Sequence, residues 1–364
     1  MAKIKQNPDD SNIEDVLENL QSDLNKYFGA GSATRLNDPG VLSKVDYWVS
    51  TRSMVVDSIL RGGRPPGASL LPFGRQVEVS GKSGSGKTTL CAQISAEVQA
   101  NGGLVVITDT EERVDDIYWT SLGVDVSKVI RIQATDVSEV FNKQYRALQF
   151  AREHAADRPL LLIWDSLGGT AGAEMLEMGS DESPMEQASK FGMRQAKVIS
   201  DGMTLINTIV GQTRACYLYT NHVYTDFNVK YGSPIKTRGG DKPIFMATVR
   251  LQLSSAGQIK ELDSASGNET VVGQKIRVKA LKNSMAGRLM EREAVIMAGR
   301  GFVNSYSCFD MGTNLGIIIK SGSWYTWTTP TGEQIKFQGF SGFEDKVVTH
   351  PEYDSLYAAV EAEL

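Results

Sequence analysis

The run QVEVSGKSGSGKTTLCAQISAEVQA, residues 76–100, decides how the chain folds. Gln76 to Val79 reads as a strand, and Thr88 to about Ala100 reads as an amphipathic helix stopped by Gly102 and Gly103. Between them GKSGSGKT, Gly81 to Thr88, matches GxxxxGK[ST], and each position has a physical task. Gly81, Gly84 and Gly86 let the backbone wrap a phosphate with its N–H groups turned inward at a helix N-terminus. Lys87 neutralises terminal phosphate charge, and the Thr88 hydroxyl is placed to ligate Mg²⁺. Lys82, Ser83, Ser85 and Thr89 complete the wall of the cradle. A chance match in a Gly-rich loop would lack the strand before and the helix after. The segment therefore predicts a nucleoside triphosphate site and ATP hydrolysis.

Outward from this loop the pattern alternates. The apolar strand Leu104 to Thr108 closes on Asp109, and Val129 to Ile132, Leu160 to Trp164, Cys216 to Thr220 and Val249 to Leu253 read as buried parallel strands. Lys275 to Leu281 and Glu293 to Met297, joined by the turn Asn283 to Arg288, predict an antiparallel extension of the same sheet. A nucleotide site of this type needs an acid at a strand end to hold the metal's water shell, and LLLIWD supplies Asp165. After the neighbouring strand, VVITDTEE offers Glu111 to orient an attacking water, with Glu112 and Asp109 as competitors.

The flanks differ from this core. Ile13 to Phe28 carries apolar residues at helical spacing, RGGRPPGASLLPFGR at 61–75 is a turn-rich connection, and from about Ser305 the composition shifts to Gly, Trp and Tyr. The expected division is an N-terminal tail and helix over 1–45, an α/β core over 46–304 and a small α/β C-terminal domain over 305–364. A net charge of −5 and 41% apolar residues are ordinary, and no apolar run approaches the roughly 20 residues of a membrane span. The N-terminus has no secretory signal, and three cysteines and three histidines without metal-type spacing argue against disulfides and structural zinc. A reducing cytoplasm is the expected setting.

On these motifs the chain from about Ser22 to Leu364 resembles the RecA-type recombinases, the bacterial and phage ATP-dependent DNA strand-exchange proteins. DLNKYFGAGSATRL at 23–36 is similar to the family's N-terminal oligomerisation helix and its exit. ITDTEERVDDIYWTSLGVD at 107–125 is similar to the segment with the catalytic glutamate and adenine contacts, so the resemblance implies that Glu111 activates water and that Asp115 and Tyr118 hold adenine. MLEMGSDESPMEQASKF at 175–191 looks like the first DNA-binding loop, with Met185 as the apolar side chain set between bases and Lys190 and Lys197 as nearby cations. TNHVYTDFNVKYGSPIKTRGG at 220–240 looks like the second. It offers Lys230, Lys236 and Arg238 as charge, Phe227 and Tyr231 as stacking faces, and Gly239 and Gly240 for a phosphate. KPIFMATVRLQL at 242–253 resembles the segment that packs on the next subunit, through Phe245. RVKALKNSMAG at 277–287 resembles the strand whose Lys282 completes a neighbour's ATP site.

The resemblance implies a RecA-type core with a mostly parallel sheet, using ATP and Mg²⁺. It also implies a helical filament on single-stranded DNA that pairs with a homologous duplex and exchanges strands in recombination and repair. Departures are visible. Ser284 stands where many members carry a second lysine, which predicts slower hydrolysis, and His222 replaces a glutamine that senses the γ-phosphate. The approach to the phosphate loop is long, and AAVEAEL ends without an acidic tail, which predicts weaker autoinhibition toward duplex DNA. These features fit a phage-encoded member as well as one of the bacterial cytoplasm or nucleoid. A hexameric helicase shares the core but would lack the YGSP loop with its Gly-Gly end and the SGSWYTW domain. A non-catalytic mediator draws support from Ser284.

Overall fold

The computed structural model describes residues 10–36, 38, 45, 47–61, 71–170, 184–226, 232–262, 269–286 and 289–363. Two compact units divide at Asp46/Tyr47. In the first, α1 (Asp10–Phe28) ends where Gly29 turns left-handed at φ 101°. The returning chain is then clamped by Asn25, whose amide donates to the Ala33 carbonyl and accepts from its N–H, both at 2.9 Å. Ile13, Val16, Leu17 and Leu20 repeat at helical spacing along α1 and stay exposed, as do Tyr27 and Phe28 at its end.

The second unit opens with β1 (Trp48–Val49), α2 (Met54–Arg61), β2 (Leu71–Pro72), β3 (Arg75–Gly81), α3 (Lys87–Ala100) and β4 (Leu104–Asp109). It continues through α4 (Asp116–Ser121), β5 (Val129–Ile132), α5 (Val137–His154), β6 (Leu160–Asp165) and α6 (Pro184–Val210). Then come β7 (Ala215–Thr225), β8 (Ile235–Thr237), α7 (Asp241–Met246), β9 (Val249–Leu262), β10 (Glu269–Asn283), β11 (Glu291–Met297) and β12 (Gly301–Phe302). The last part is α8 (Asn304–Asn314), the strands β13 (Ile318–Ser321), β14 (Trp324–Thr328) and β15 (Gln334–Phe337), and the helices α9 (Gly339–Phe343) and α10 (Tyr353–Glu363).

The large sheet runs β12-β11-β10-β9-β3-β7-β6-β4-β5. From β9 to β5 the neighbours are parallel, and from β9 to β12 they are antiparallel, which is the extension read from Lys275 to Met297. Alternation along the strands divides the interior between the two faces of the sheet. Val77, Val79, Val105, Ile107, Leu161, Ile163, Cys216 and Leu218 face one cluster with α3, while Val106, Leu160, Leu162, Trp164, Tyr217 and Tyr219 face a second with α5 and α6.

Two expectations change. Val129–Ile132 is a parallel strand but not a buried one, because β5 lies at the sheet edge with Ile130 65% exposed. Helix α3 is not amphipathic: Leu90, Cys91, Gln93, Ile94, Ser95 and Val98 are all buried around its circumference. It is enclosed on both sides, with the sheet on one and Phe302 on the other, whose N–H donates to Gln93 Oε1 at 2.7 Å. Residues 305–364 build their own three-stranded sheet, yet Cys308, Ile318, Trp327, Phe337, Phe343 and Val360 belong to the same hydrophobic cluster as α3. Among the described residues no helix is long and apolar enough to cross a membrane.

Helix α2 is buried along its whole length, including an acid. Asp57 accepts from the Ser50 hydroxyl (2.6 Å), the Thr51 N–H (2.9 Å) and the Thr51 hydroxyl (2.7 Å). Burial nevertheless pushes its pKa from 3.8 up to about 6. A carboxyl whose folded pKa is raised contributes stability that is complete below its unfolded pKa and is lost as pH climbs through the folded value. Asp57→Asn keeps an acceptor for Thr51, so its melting temperature relative to wild type should rise from pH 4 to pH 7. A parallel pair of melting curves across that window would show Asp57 not to be the buried acid if the difference stays flat.

Candidate active site

The parallel registers bring four strand ends level. Gly81 of β3 pairs with His222 of β7, and Asp109 of β4 pairs with Asp165 of β6. Gly81 to Gly86 cross this edge, and α3 starts at Lys87. Gly86 caps the helix at φ 89°, a left-handed turn that favours glycine, and a Cβ there would also push aside the end of the Ile296 side chain. Lys87 is buried, and its ammonium donates to the carbonyls of Gly81 (3.1 Å) and Lys82 (3.0 Å). Burial pulls its pKa down, against the attraction of Asp165 and Glu111. A desolvated cation curled onto the loop that carries it is poised for an anion in the cradle.

The Thr88 hydroxyl donates to Asp165 Oδ2 at 2.6 Å, and the Thr220 hydroxyl donates to Oδ1. Burial raises the Asp165 pKa, opposed by these two hydrogen bonds. Thr88 and Asp165 are hard oxygen donors at the loop, which is the donor set Mg²⁺ takes when substrate phosphates and water fill its other positions. Among the described residues no group of three His, Cys, Asp or Glu offers a protein-only cage. The predicted base contacts assemble beside the loop: the Asp115 carboxylate caps α4 by accepting from the Tyr118 N–H at 2.7 Å, and Tyr118 and Thr89 share a hydroxyl–hydroxyl bond of 2.9 Å.

Of the three acids at and just after the end of β4, Glu111 is the one at the centre of a cluster. It accepts from the Ser166 hydroxyl, lies 2.5 Å from His222 Nε2 and pairs with Arg113 at 3.2 Å. Burial would raise its pKa, but these neighbours outweigh burial and hold it below the usual range. Asp109 is occupied in folding the loop, accepting from the N–H groups of Arg113 (3.3 Å) and Val114 (3.0 Å) and pairing with Arg131 at 3.3 Å. Glu112 is exposed at φ 53°.

Strand β7 serves two sides. Thr220 and His222 face the nucleotide acids, while Tyr219 and Asn221 face the opposite way. The Tyr219 hydroxyl donates to the Pro243 carbonyl at 2.8 Å, and Asn221 Nδ2 donates to the Arg238 carbonyl (2.8 Å) and to Glu78 Oε1 (3.0 Å). Glu78, with no exposed surface, pairs with Arg250 at 2.5 Å. Arg238, Gly239 and Gly240 line a cavity of about 330 Å³ with Leu167, Gly168 and Gln195.

The second predicted loop is shorter than Val223 to Arg238, because β7 runs on to Thr225 and pairs antiparallel with β8. Lys236 on that ribbon is held by Asp226 at 2.7 Å, and that carboxylate raises its pKa. Phe227, Lys230 and Tyr231 lie outside the described residues. Of the predicted first loop, residues from Pro184 on are helix rather than loop, so Met185 and Lys190 belong to α6 with Lys197, which is exposed; 175–183 lie outside the described residues. Lys282 donates to the carbonyls of Ile244 (3.3 Å) and Phe245 (2.9 Å), beside the 74% exposed Phe245 side chain. Burial and the nearby Arg250 lower its pKa. The sequence reading missed Arg113, Ser166 and Thr220. Each stands within a segment it quoted or immediately after one, but the tie of each to an acid forms only in the fold.

A parallel sheet with a phosphate loop after its central strand and acids on the neighbouring strand ends defines a phosphate-loop nucleotide-binding α/β protein. The family model described as RecA N-terminal domain matches residues 15–303. The chain belongs to the RecA family. "Protein RecA" of Borrelia hermsii is 31% identical over 337 residues, covering 90% of this chain and 86% of the relative. "Protein RecA" of Paracoccus denitrificans is 30% identical across 93% of this chain and 86% of its own, and that of Methylococcus capsulatus is 30% identical across 97% and 92%.

Removing one partner of a buried ion pair leaves the other charge without water or counterion, at a cost of about 3–5 kcal/mol. Glu78→Ala should lose stability on that scale in urea titration, and Glu78→Leu with Arg250→Met should recover most of it. Equal losses in the single and the double variant would show that packing, not charge, is what Glu78 supplies.

Proposed function

We propose that this RecA-family chain is an ATP-dependent recombination and DNA-repair protein that assembles a filament on single-stranded DNA and catalyses homologous pairing and strand exchange. The observation that carries the reading is β7, whose successive residues tie a nucleotide site to the end of a DNA-binding loop. On one side Thr220 holds Asp165 and His222 meets Glu111; on the other Asn221 holds Arg238 ahead of Gly239 and Gly240.

ATP lies along Gly81–Thr89, with Lys87 on the terminal phosphates and Tyr118 and Asp115 toward the base. Thr88 and Asp165 would hold Mg²⁺, which would supply neutralisation of the phosphate charge. Glu111, kept ionised by its neighbours, orients the attacking water. His222 donates to the γ-phosphate in place of Glu111 and so senses it. Hydrolysis here is coupled to release of the strand. Lys282, with Phe245 at the subunit surface, completes the site of the next subunit, and Ser284, exposed beside it, adds no second charge and slows turnover.

Single-stranded DNA lies along Arg238, Gly239, Gly240 and Lys236, with Lys197, Lys190 and Met185 on α6 and Phe227, Lys230 and Tyr231 within the loop. Phosphate contacts and stacking there carry little sequence information, so base pairing, not the protein, tests homology with the incoming duplex. Filament growth is supported by two complementary surfaces. The apolar face of α1 is exposed, and the edge strand β5 with α5 frames an apolar groove of about 620 Å³ around Ile130 and Phe150. A helix of one copy in the groove of another is a heterologous contact, which repeats without closing.

Joint-molecule formation between a circular single strand and a homologous linear duplex tests the reading. Wild type should form joint molecules with ATP, and a helicase or a mediator would not. Lys87→Ala should lose ATP turnover and joint molecules together. Phe227→Ala should keep nucleotide binding and lose single-strand affinity, and normal single-strand binding by that variant would remove Phe227 from the DNA site.

A further inference from the structure

We propose that Arg113 is a catalytic cation of this site, its guanidinium binding the terminal phosphate of ATP from within the same chain. The proposal rests on the ATPase reading above and adds to it a residue that neither the phosphate-loop motif nor the strand-end acids call for.

The backbone of Arg113 is fixed on both sides. Asp109 takes up the N–H groups of Arg113 and Val114 and is itself buried and paired with Arg131, while Asp115 starts α4. The side chain therefore leaves a rigid turn. Its Nη1 reaches Ser83 Oγ at 3.1 Å and Glu111 Oε2 at 3.2 Å. Ser83 is the third residue of the phosphate loop, and Glu111 is the carboxylate that orients water. A single nitrogen thus spans the interval between the loop and the base, and that interval is where the terminal phosphate and its attacking water must lie. The charge is also felt on both sides: Arg113 lowers the pKa of Glu111 and that of the buried Lys87 ammonium.

The chemistry of the group suits the place. A guanidinium stays charged at any working pH and has five N–H donors in a planar fork that matches phosphate oxygens. In the hydrolytic step the water oxygen forms a bond to the γ-phosphorus while the bond from phosphorus to the β–γ bridging oxygen breaks. That oxygen leaves with the electron pair on ADP, and the water proton passes to Glu111. Charge in the transition state spreads over the three equatorial oxygens of the transferring group, and a donor aimed at them stabilises that state more than the ground state. With the phosphate in place, the guanidinium exchanges its contact with Glu111 for phosphate oxygens, which leaves the carboxylate to the water. A purely structural role fits poorly, because the Arg113 side chain is 57% exposed and a solvent-facing ion pair adds little to stability.

The test uses the full chain with single-stranded DNA, ATP and Mg²⁺, measuring steady-state hydrolysis together with affinities for ADP and for ADP with aluminium fluoride, a mimic of the transferring phosphoryl group. For Arg113→Ala, kcat should fall by about 100-fold or more, the scale on which loss of one preorganised donor to the developing charge acts. Its KM and its affinity for ADP should stay within about threefold, while affinity for the fluoride complex falls roughly in step with kcat. Arg113→Lys should recover part of the loss, as a positive charge without the fork. Wild-type hydrolysis with an unimpaired Arg113→Ala overturns this proposal alone, and so do parallel losses of ADP and of the fluoride complex, which would mark a residue that shapes the loop. A wild-type chain that turns over no ATP overturns the reading of the site, and this proposal with it.

Discussion

A carboxylate without access to water sits in the middle of the sheet, and the positions of three strands follow from how it is neutralised. Glu78 of β3 is flanked by β9 and β7 and takes one partner from each, the Arg250 guanidinium and the Asn221 amide. Because an unpaired buried charge is costly, the three side chains hold one another in a single arrangement. That arrangement sets the register at which Gly81 meets His222, and it holds the Arg238 carbonyl through the same Asn221 amide. The strand that starts the phosphate loop and the strand that runs on into the β7–β8 ribbon are locked by one charge.

The opposite face of the same strand ends carries a different balance. Lys87, Asp165 and Glu111 form a compact cluster in which burial works against each charge, and neighbours outweigh it only at Glu111. Asp165 is steadied by two hydroxyls, one from α3 and one from β7, so the acid keeps its place without a counter-cation touching it. Glu111 is steadied by groups from three different segments.

Much of the fold could be read ahead of the structure wherever local chemistry decides. The phosphate loop, the strand leading to Asp165 and the antiparallel end of the sheet declare themselves through glycines, apolar runs and a short turn. Position within the sheet was not readable: VIRI at 129–132 has the composition of an inner strand, but only pairing order makes β5 an edge. The helix after the loop carries Gln93 and Ser95 among apolar residues, and nothing local says that Phe302, far along the chain, encloses them. For the site, the motif residues stand together at the strand ends, and the hydroxyls that support their acids, Ser166 and Thr220, are marked by no motif. Arg113 stands two residues after Glu111, and only the fold brings its guanidinium to Ser83.

The alternation of β7 has a consequence for what insertions this chain tolerates. Thr220 and His222 look toward one set of partners, Tyr219 and Asn221 toward the other, and a strand exchanges its faces whenever its numbering shifts by an odd step. One residue gained or lost before Tyr219 would turn His222 toward the Arg238 side and Asn221 toward Glu111 and Asp165, with every backbone pairing still available. A change of two would restore both faces. The two sets of partners are thus assigned by parity along four consecutive residues, so only an even step in this strand, or a change in the turns beyond it, keeps both in place.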